Sequence, residues 1–209
     1  MTKKRFSKRI WYHSSFQTMS IAPWRVPLSR ALHRNRSLPY ARYFQLATVR
    51  PNGYPANRTV VFRGFFDNSL KIITDARSQK IEQINYNAGA EICWYFPKTR
   101  EQFRLRGKLI LVGEDYPELT LKNERQTTWQ GLSNAARVQF AWSNPGEPRV
   151  EGDPAFSQPP PDPEQPLSNF CLLLLEPIEV DHLELRGDPQ NRSRYTQECD
   201  QWIKKAINP

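Results

Sequence analysis

The segment Asn57–Ile84, NRTVVFRGFFDNSLKIITDARSQKIEQI, changes its pattern twice. Val60, Val61 and Phe62 are β-branched or aromatic and make a strand. Asp67-Asn68 is a turn pair, and Leu70, Ile72 and Ile73 carry a second strand that stops at Thr74-Asp75. From Ser78 the apolar residues Ile81 and Ile84 fall three apart, which is helical spacing with Lys80 in the first turn. A hairpin leading into a helix would deliver Arg58, Arg63, Thr74 and Lys80 toward the helix start. Helix N-termini and forked guanidinium groups both suit a phosphate dianion. The same charges also suit a plain hairpin with solvated cations, and spacing alone favours that reading, because cations on strand edges are common.

The chain has 209 residues, enough for one domain with a sizeable core. Its net charge of +9 is uneven: thirteen Lys and Arg and no acid precede Asp67, leaving 17 bases against 21 acids in the remainder. A basic front half suits nucleic acid or phosphorylated small molecules. With no RNA-binding or helix-turn-helix signature, a phosphate site plus a solvated tail is the better reading, and no nucleic-acid partner is expected. No membrane contact is expected either, since the apolar run Cys171–Leu175 is too short to span and Glu176 follows it. Cys93, Cys171 and Cys199 are odd in number and far apart, which fits a reducing, cytoplasmic setting. His13, His33 and His182 lack partners at metal-ligand spacing, so no metal is expected. No arrangement suggests a nucleophile, and Asp181-His182 reads as a surface turn.

Along the chain, Leu28 to Arg36 reads as a short helix after Pro27, with Leu32 toward the core. Tyr43 to Val49 is a strand that turns through Pro51-Asn52-Gly53 into the Asn57 strand. Ala90 to Phe96 is continuously apolar and reads as a strand buried on both faces. Gln102 to Val112 alternates, with Phe103, Leu105, Leu109 and Leu111 on one face and Gln102, Arg104, Arg106 and Lys108 on the other. Pro117 to Phe140 is helical with a break near Gly131-Leu132-Ser133, where Ser133 can cap a second helix. Residues 144–166 are a long Pro-rich loop. Phe170 to Val180 and Gln201 to Ile207 complete the strands. Six or seven strands with interspersed helices make a mainly β, α+β fold, an antiparallel barrel with peripheral helices.

Several pieces, in order, resemble the FMN-binding split barrel of the pyridoxamine 5′-phosphate oxidase family, from about Ser20 to Pro209. That family holds the FMN phosphate with an Arg-x-x-x-x-Lys strand, a Tyr-Thr strand end and a Ser-Arg-Lys helix start. Here the strand is Arg58-Thr59-Val60-Val61-Phe62-Arg63, with Arg for Lys, and the strand end is Ile73-Thr74. The helix start is Ser78-Gln79-Lys80, with Gln for Arg and Arg77 close by as a substitute cation. Gln102 matches a glutamine that contacts the flavin ring, to which an amide offers both donor and acceptor. Arg192, three before Tyr195, matches a flavin-contacting arginine, and Ser143 is the nearest match to a Gln-Ser pair. Trp202 to Pro209 matches the family's closing piece, with Trp202 read as packing.

The resemblance implies a six- or seven-stranded antiparallel split barrel over residues 19–209, FMN as cofactor, and a homodimer with FMN between subunits. The implied activity is an FMN-dependent oxidoreductase on an unknown small molecule. The departures concern substrate. Where the oxidase has Arg-Leu-His, this chain has Asp188-Pro189-Gln190, and a flavin-contacting tryptophan aligns with Asp181. Arg137 corresponds to a substrate-phosphate arginine, though its spacing to Trp142 differs. Flavin binding is thus expected to be kept and the vitamin B6 site lost. The alternatives are a true pyridoxamine/pyridoxine 5′-phosphate oxidase and a non-catalytic flavin carrier or sensor.

Residues 1–18 carry Lys3, Lys4, Arg5, Lys8 and Arg9 with no acid and no apolar pattern. They read as a disordered extension, either transit-like or upstream of a true start at Met19. Deleting them is expected to leave the thermal midpoint unchanged; a drop of several degrees in a melting curve would show the tail to be packed.

Overall fold

The computed structural model describes residues 20–149, 151–152, 154–199 and 201–209; the expectations for residues 1–18 lie outside these. Among the described residues, nine strands form one antiparallel sheet that does not close. In chain order they are β1 (Tyr43–Val49), β2 (Pro55–Val61), β3 (Phe65–Phe66), β4 (Ser69–Asp75), β5 (Gly89–Phe96), β6 (Glu101–Val112), β7 (Phe170–Glu184), β8 (Asn191–Glu198) and β9 (Gln201–Ile207). The sheet order is β2-β1-β5-β6-β7-β4-β3, with β8 added to β7 and β9 to β8. Four α-helices lie around it: α1 (Arg25–Asn35), α2 (Gln79–Tyr86), α3 (Leu119–Gln130) and the single turn α4 (Asn134–Arg137).

The expected class is right, but the count of six or seven strands was short of nine. Phe65–Phe66 has only two residues, too few to show a period. Strand β8, NRSRYTQE, buries only Tyr195, so its apolar signal is absent. Strand β5 corrects another expectation. Its run GAEICWYF is buried on one face only, through Ala90, Ile92, Trp94 and Phe96, while Tyr95 on the other face is 46% exposed. Apolar composition at Cys93 and Tyr95 hid the alternation. Helix α1 begins at Arg25, three residues before the expected start, and buries Leu28 and Ala31.

The core is a ladder of rings. Trp94 stands 5.0 Å from Phe44, Phe62 and Phe96 alike, and Phe96 meets Phe103 edge-on at 5.8 Å. The indole N–H of Trp94 donates to Ala41 O at 2.9 Å, so the ladder contains no unpaired donor at its centre. A second cluster joins Trp129, Phe140 and Phe170 beneath α3. The Pro-rich loop crosses this helix, where Trp129 Nε1 donates to Asp162 O and Gln130 to Glu164. It contains one short 3-10 turn, Pro154–Ser157.

Strand β7 binds the two parts of the sheet together. Phe170–Leu175 pairs with β4, Glu179–Glu184 pairs with β8, and β6 runs along both stretches. The β6–β7 register shifts between Arg106 and Gly107. A Cβ on Gly107 would stand 1.9 Å from Glu176 O, a backbone atom with no room to yield. Gly107→Ala is therefore expected to cost about 3 kcal/mol or more, at or beyond the upper end of ordinary overpacking. Denaturant unfolding of the variant measures this, and a change below 1 kcal/mol would mean that the two strands separate easily here.

Candidate cofactor site

A cleft of about 830 Å³ opens between β2, the end of β4, the start of α2 and the segment Phe140–Arg149. Of the residues expected to bind cofactor, Arg58, Thr59, Val60, Val61, Arg63, Ile73, Thr74 and Lys80 all line it.

Arg58 lies opposite Leu46 in the β1–β2 ladder. Its guanidinium donates to Thr48 Oγ1 at 2.5 Å, Leu46 O at 3.2 Å and Gln83 Oε1 at 2.7 Å. Thr48 Oγ1 also donates to Gln83 Oε1 at 2.6 Å, and both residues are buried. Strand β1 and helix α2 thus hold the arginine in one orientation without supplying a carboxylate. Lys80 stands one helical turn before Gln83 on the same face of α2. Among the described residues it makes no hydrogen bond or ion pair. Burial pushes the Lys80 ammonium below its usual value, and the charge of Arg58 pushes it further, against partial relief from Asp75. The Arg58 guanidinium is shifted down by burial and by Arg50. Two partly buried cations therefore face one space, a strained arrangement that an anion relieves. Thr74 Oγ1 and Ser78 Oγ, 3.2 Å apart, add hydroxyls at the same place. Ser78 precedes α2 without using its side chain as a cap; Ile81 N donates to Ser78 O at 3.0 Å, which leaves the Gln79 and Lys80 amides open.

Arg63 follows Arg58 by five residues, beyond the end of β2 at Val61, and lines the same cleft. Arg63 Nε is buried and unpartnered. Burial and then Arg42 lower the Arg63 guanidinium, with Tyr43 opposing.

Arg77 is not a free substitute cation. It chelates Asp75, Nε to Oδ1 at 2.9 Å and Nη2 to Oδ2 at 2.7 Å, and donates to Phe140 O, Trp142 O and Asn144 Oδ1. Burial alone would raise the Asp75 carboxyl; the hydrogen bonds from Arg77 and Asn169 turn the shift downward. Gln79 is exposed and does not line the cleft. Gln102 and Arg192 also lie away from it. They share the outer face of the sheet, both in register with Leu183. Arg192 is chelated by Asp181, with Nε at 3.0 Å and Nη2 at 2.9 Å.

Arg137, expected at a substrate phosphate, is 6% exposed and gathers the carbonyls of Trp129, Gln130 and Leu132 together with Asn134 Oδ1. It satisfies the free carbonyls at the C-terminal end of α3. Asp181-His182 is not a surface turn either: both residues are buried in β7. His182 stacks on Phe103 at 4.0 Å and bonds Glu101 at 2.8 Å. Burial works to raise the Glu101 carboxyl, but hydrogen bonds from His182 and Thr99 leave it below its usual value. With Glu184 these groups lie within 4.8 Å of one another, so His182 does have ligand-type neighbours. Spacing hid them, because Glu101 is 81 positions away. Ligands about 2.1 Å from a tetrahedral metal stand about 3.4 Å apart. The 2.8 Å contact is instead a hydrogen bond. Sequence reasoning also missed Thr48 and Gln83, whose only signal is that Gln83 follows Lys80 by three.

A family profile described as "Pyridoxamine 5'-phosphate oxidase, FMN-binding domain" matches residues 21–113. The chain is 41% identical over 197 residues to the "Pyridoxine/pyridoxamine 5'-phosphate oxidase 2" of Arabidopsis thaliana, covering 90% of this chain and 98% of that one. The chain belongs to the pyridoxamine 5′-phosphate oxidase-related, FMN-binding family. A pyridoxamine 5′-phosphate oxidase-related, FMN-binding protein of Nostoc punctiforme superposes with a TM-score of 0.89 at 58% identity, covering 91% of this chain and 100% of that one. PhzG from Burkholderia lata, with a TM-score of 0.74 at 19% identity over 90% of this chain and 93% of its own, shares the fold. FMN is the cofactor of this family's domain, and the cleft fits it: Arg58 and Lys80 line it with no ion-pair partner among the described residues, and Arg63 adds an unpaired donor.

Arg137→Ala is expected to destabilise the fold by about 2–3 kcal/mol, since a charged donor to buried carbonyls is lost. FMN affinity should stay within twofold of wild type in an equilibrium titration. A stable variant with impaired binding would return Arg137 to the site.

Proposed function

We propose that the chain is an FMN-dependent oxidoreductase that works as a cytoplasmic homodimer on a small-molecule substrate. The observation that carries this is the charge layout of the cleft. Arg58 and Lys80 make a cation pair that Asp75 offsets only in part. Arg63, with an unpaired, buried Nε, lines the same cleft and is separated from Arg58 in the chain by Thr59–Phe62. A molecule with a phosphate at one end and a ring bearing carbonyl acceptors at the other suits that layout.

In this reading Arg58, Lys80, Thr74 and Ser78 hold the phosphate, with Thr48 and Gln83 fixing the arginine beforehand. Arg63 donates to the ring. When bound, the flavin accepts a hydride and passes the electrons to an acceptor, and the protein contributes position and electrostatics. Gln102 and Arg192 lie on the outer sheet face, away from this cleft. They serve the flavin only if a second copy packs against that face. The homodimer is proposed on that ground and on the similarity to proteins that bind FMN between subunits. A cytoplasmic setting accords with the three free cysteines. No helix among the described residues is long and apolar enough to cross a membrane.

Oxidation of pyridoxine 5′-phosphate is the less favoured reading. Asp188-Pro189-Gln190 stands where the oxidase has its substrate-gripping residues, and Arg137 is spent on capping α3. Purified protein is expected to be yellow with releasable FMN and to elute as a dimer of the 24.5 kDa chain. It should turn over pyridoxine 5′-phosphate poorly or not at all; colourless protein that takes up no FMN sinks the proposal.

A charge-assisted hydrogen bond contributes about 1.5–3 kcal/mol. Lys80→Ala and Arg58→Ala should each raise the FMN Kd about 10- to 150-fold, at about 1.4 kcal/mol per decade. Arg77→Ala should chiefly lower the thermal midpoint, because it frees the Phe140–Asn144 segment. Wild-type FMN affinity in both Lys80→Ala and Arg58→Ala would place the phosphate elsewhere.

A further inference from the structure

We propose that Arg149 is a third cation of the phosphate end of the cleft, supplied by the Pro-rich loop in place of the arginine missing from the start of α2. The inference rests on the FMN reading above and assigns it one more residue.

The helix start lacks a second cation. Gln79 occupies the position and is exposed outside the cleft, while Arg77 is locked to Asp75. That leaves Arg58 and Lys80 to face a dianion.

The opposite wall is anchored at the same end. Arg77 donates to Phe140 O, Trp142 O and Asn144 Oδ1. Asn169 Nδ2 bridges Asp75 Oδ2 and Phe140 O at 2.8 and 2.9 Å. The chain then turns through Gly146 at φ +90°, where a Cβ would lie 3.9 Å from Gln79 Nε2. Pro145 and Pro148 restrict φ on either side of that turn. The segment therefore passes beside the α2 start, and Arg149 lines the same cleft as Arg58 and Lys80.

Arg149 is also chemically available. Among the described residues it makes no hydrogen bond or ion pair; its neighbour is the Phe156 ring, 5.5 Å from its guanidinium carbon. An aromatic face holds a guanidinium without neutralising it. Glu147, an acid of the same wall, accepts from Asn144 Nδ2 at 3.2 Å.

The full-length chain, stripped of flavin, is titrated with FMN and with riboflavin, which lacks the phosphate, following flavin fluorescence. R149A is expected to raise the FMN Kd about 10-fold, the lower end for a charged donor because the site is open to solvent. Its riboflavin Kd should not change, and R149K should recover part of the FMN loss. Melting curves matched to wild type exclude unfolding. Unchanged FMN affinity in R149A, or equal losses for FMN and riboflavin, overturns the assignment. A wild-type chain that does not prefer FMN to riboflavin overturns the phosphate-site reading beneath it, so the two failures are told apart.

Discussion

Strand β7 is the constraint on which the rest of the structure depends. It is 15 residues long and is shared by β6 along its length, by β4 at its start and by β8 at its end. Its first six residues, Phe170–Leu175, are buried whichever face they point to. That burial is possible because α3 and the Trp129 cluster cover the side opposite the ring ladder. Strands β4 and β8 pair with the two ends of β7, and the register shift at Gly107 falls between them, where the missing Cβ lets the two backbones approach. The end of β4 is thus fixed against Cys171 and Phe170, and α2 starts from there. The phosphate end of the cleft is downstream of that single placement.

Much of this was legible in the sequence because the chain states it locally. The hairpin from β1 to β2, the alternation along β6 and the break between α3 and α4 all follow from neighbouring residues. That Arg58, Thr74 and Lys80 line one cleft was legible because strand, turn and helix start occur within one stretch. What failed was long-range. Arg137 resembled a ligand-binding cation until α3 closed over it, and no local pattern announces that a guanidinium will cap a helix five to eight residues away. Arg77 likewise looked free until Asp75, Phe140 and Trp142 were placed around it. Glu101 and His182 meet only because β6 and β7 pair. Strand β8 escaped because a strand that buries one residue has no hydrophobic period to read.

The corrections share a direction. Each arginine that sequence reasoning offered as a spare cation turned out to have carbonyls or a carboxylate of its own: Arg77 with Asp75, Arg137 with the end of α3, Arg192 with Asp181. Arg58 and Lys80 have no ion-pair partner among the described residues, and Arg63 keeps a buried Nε unpaired. All three line one cleft.

That pattern is costly to the empty protein. Lys80 is lowered by burial and by Arg58, so holding it charged works against folding near neutral pH. Replacing Lys80 with a neutral residue would relieve the apo-protein, as removal of functional strain commonly does. Thr48 and Gln83 do the opposite: they spend buried hydrogen bonds on keeping Arg58 extended toward Lys80. Had the arginine served the fold alone, a carboxylate in place of Gln83 would hold it better and neutralise it. A neutral amide holds the guanidinium in place and leaves its charge to whatever enters the cleft. The choice of glutamine over glutamate at this position is therefore the local sign that the positive charge is meant for a ligand and not for the barrel.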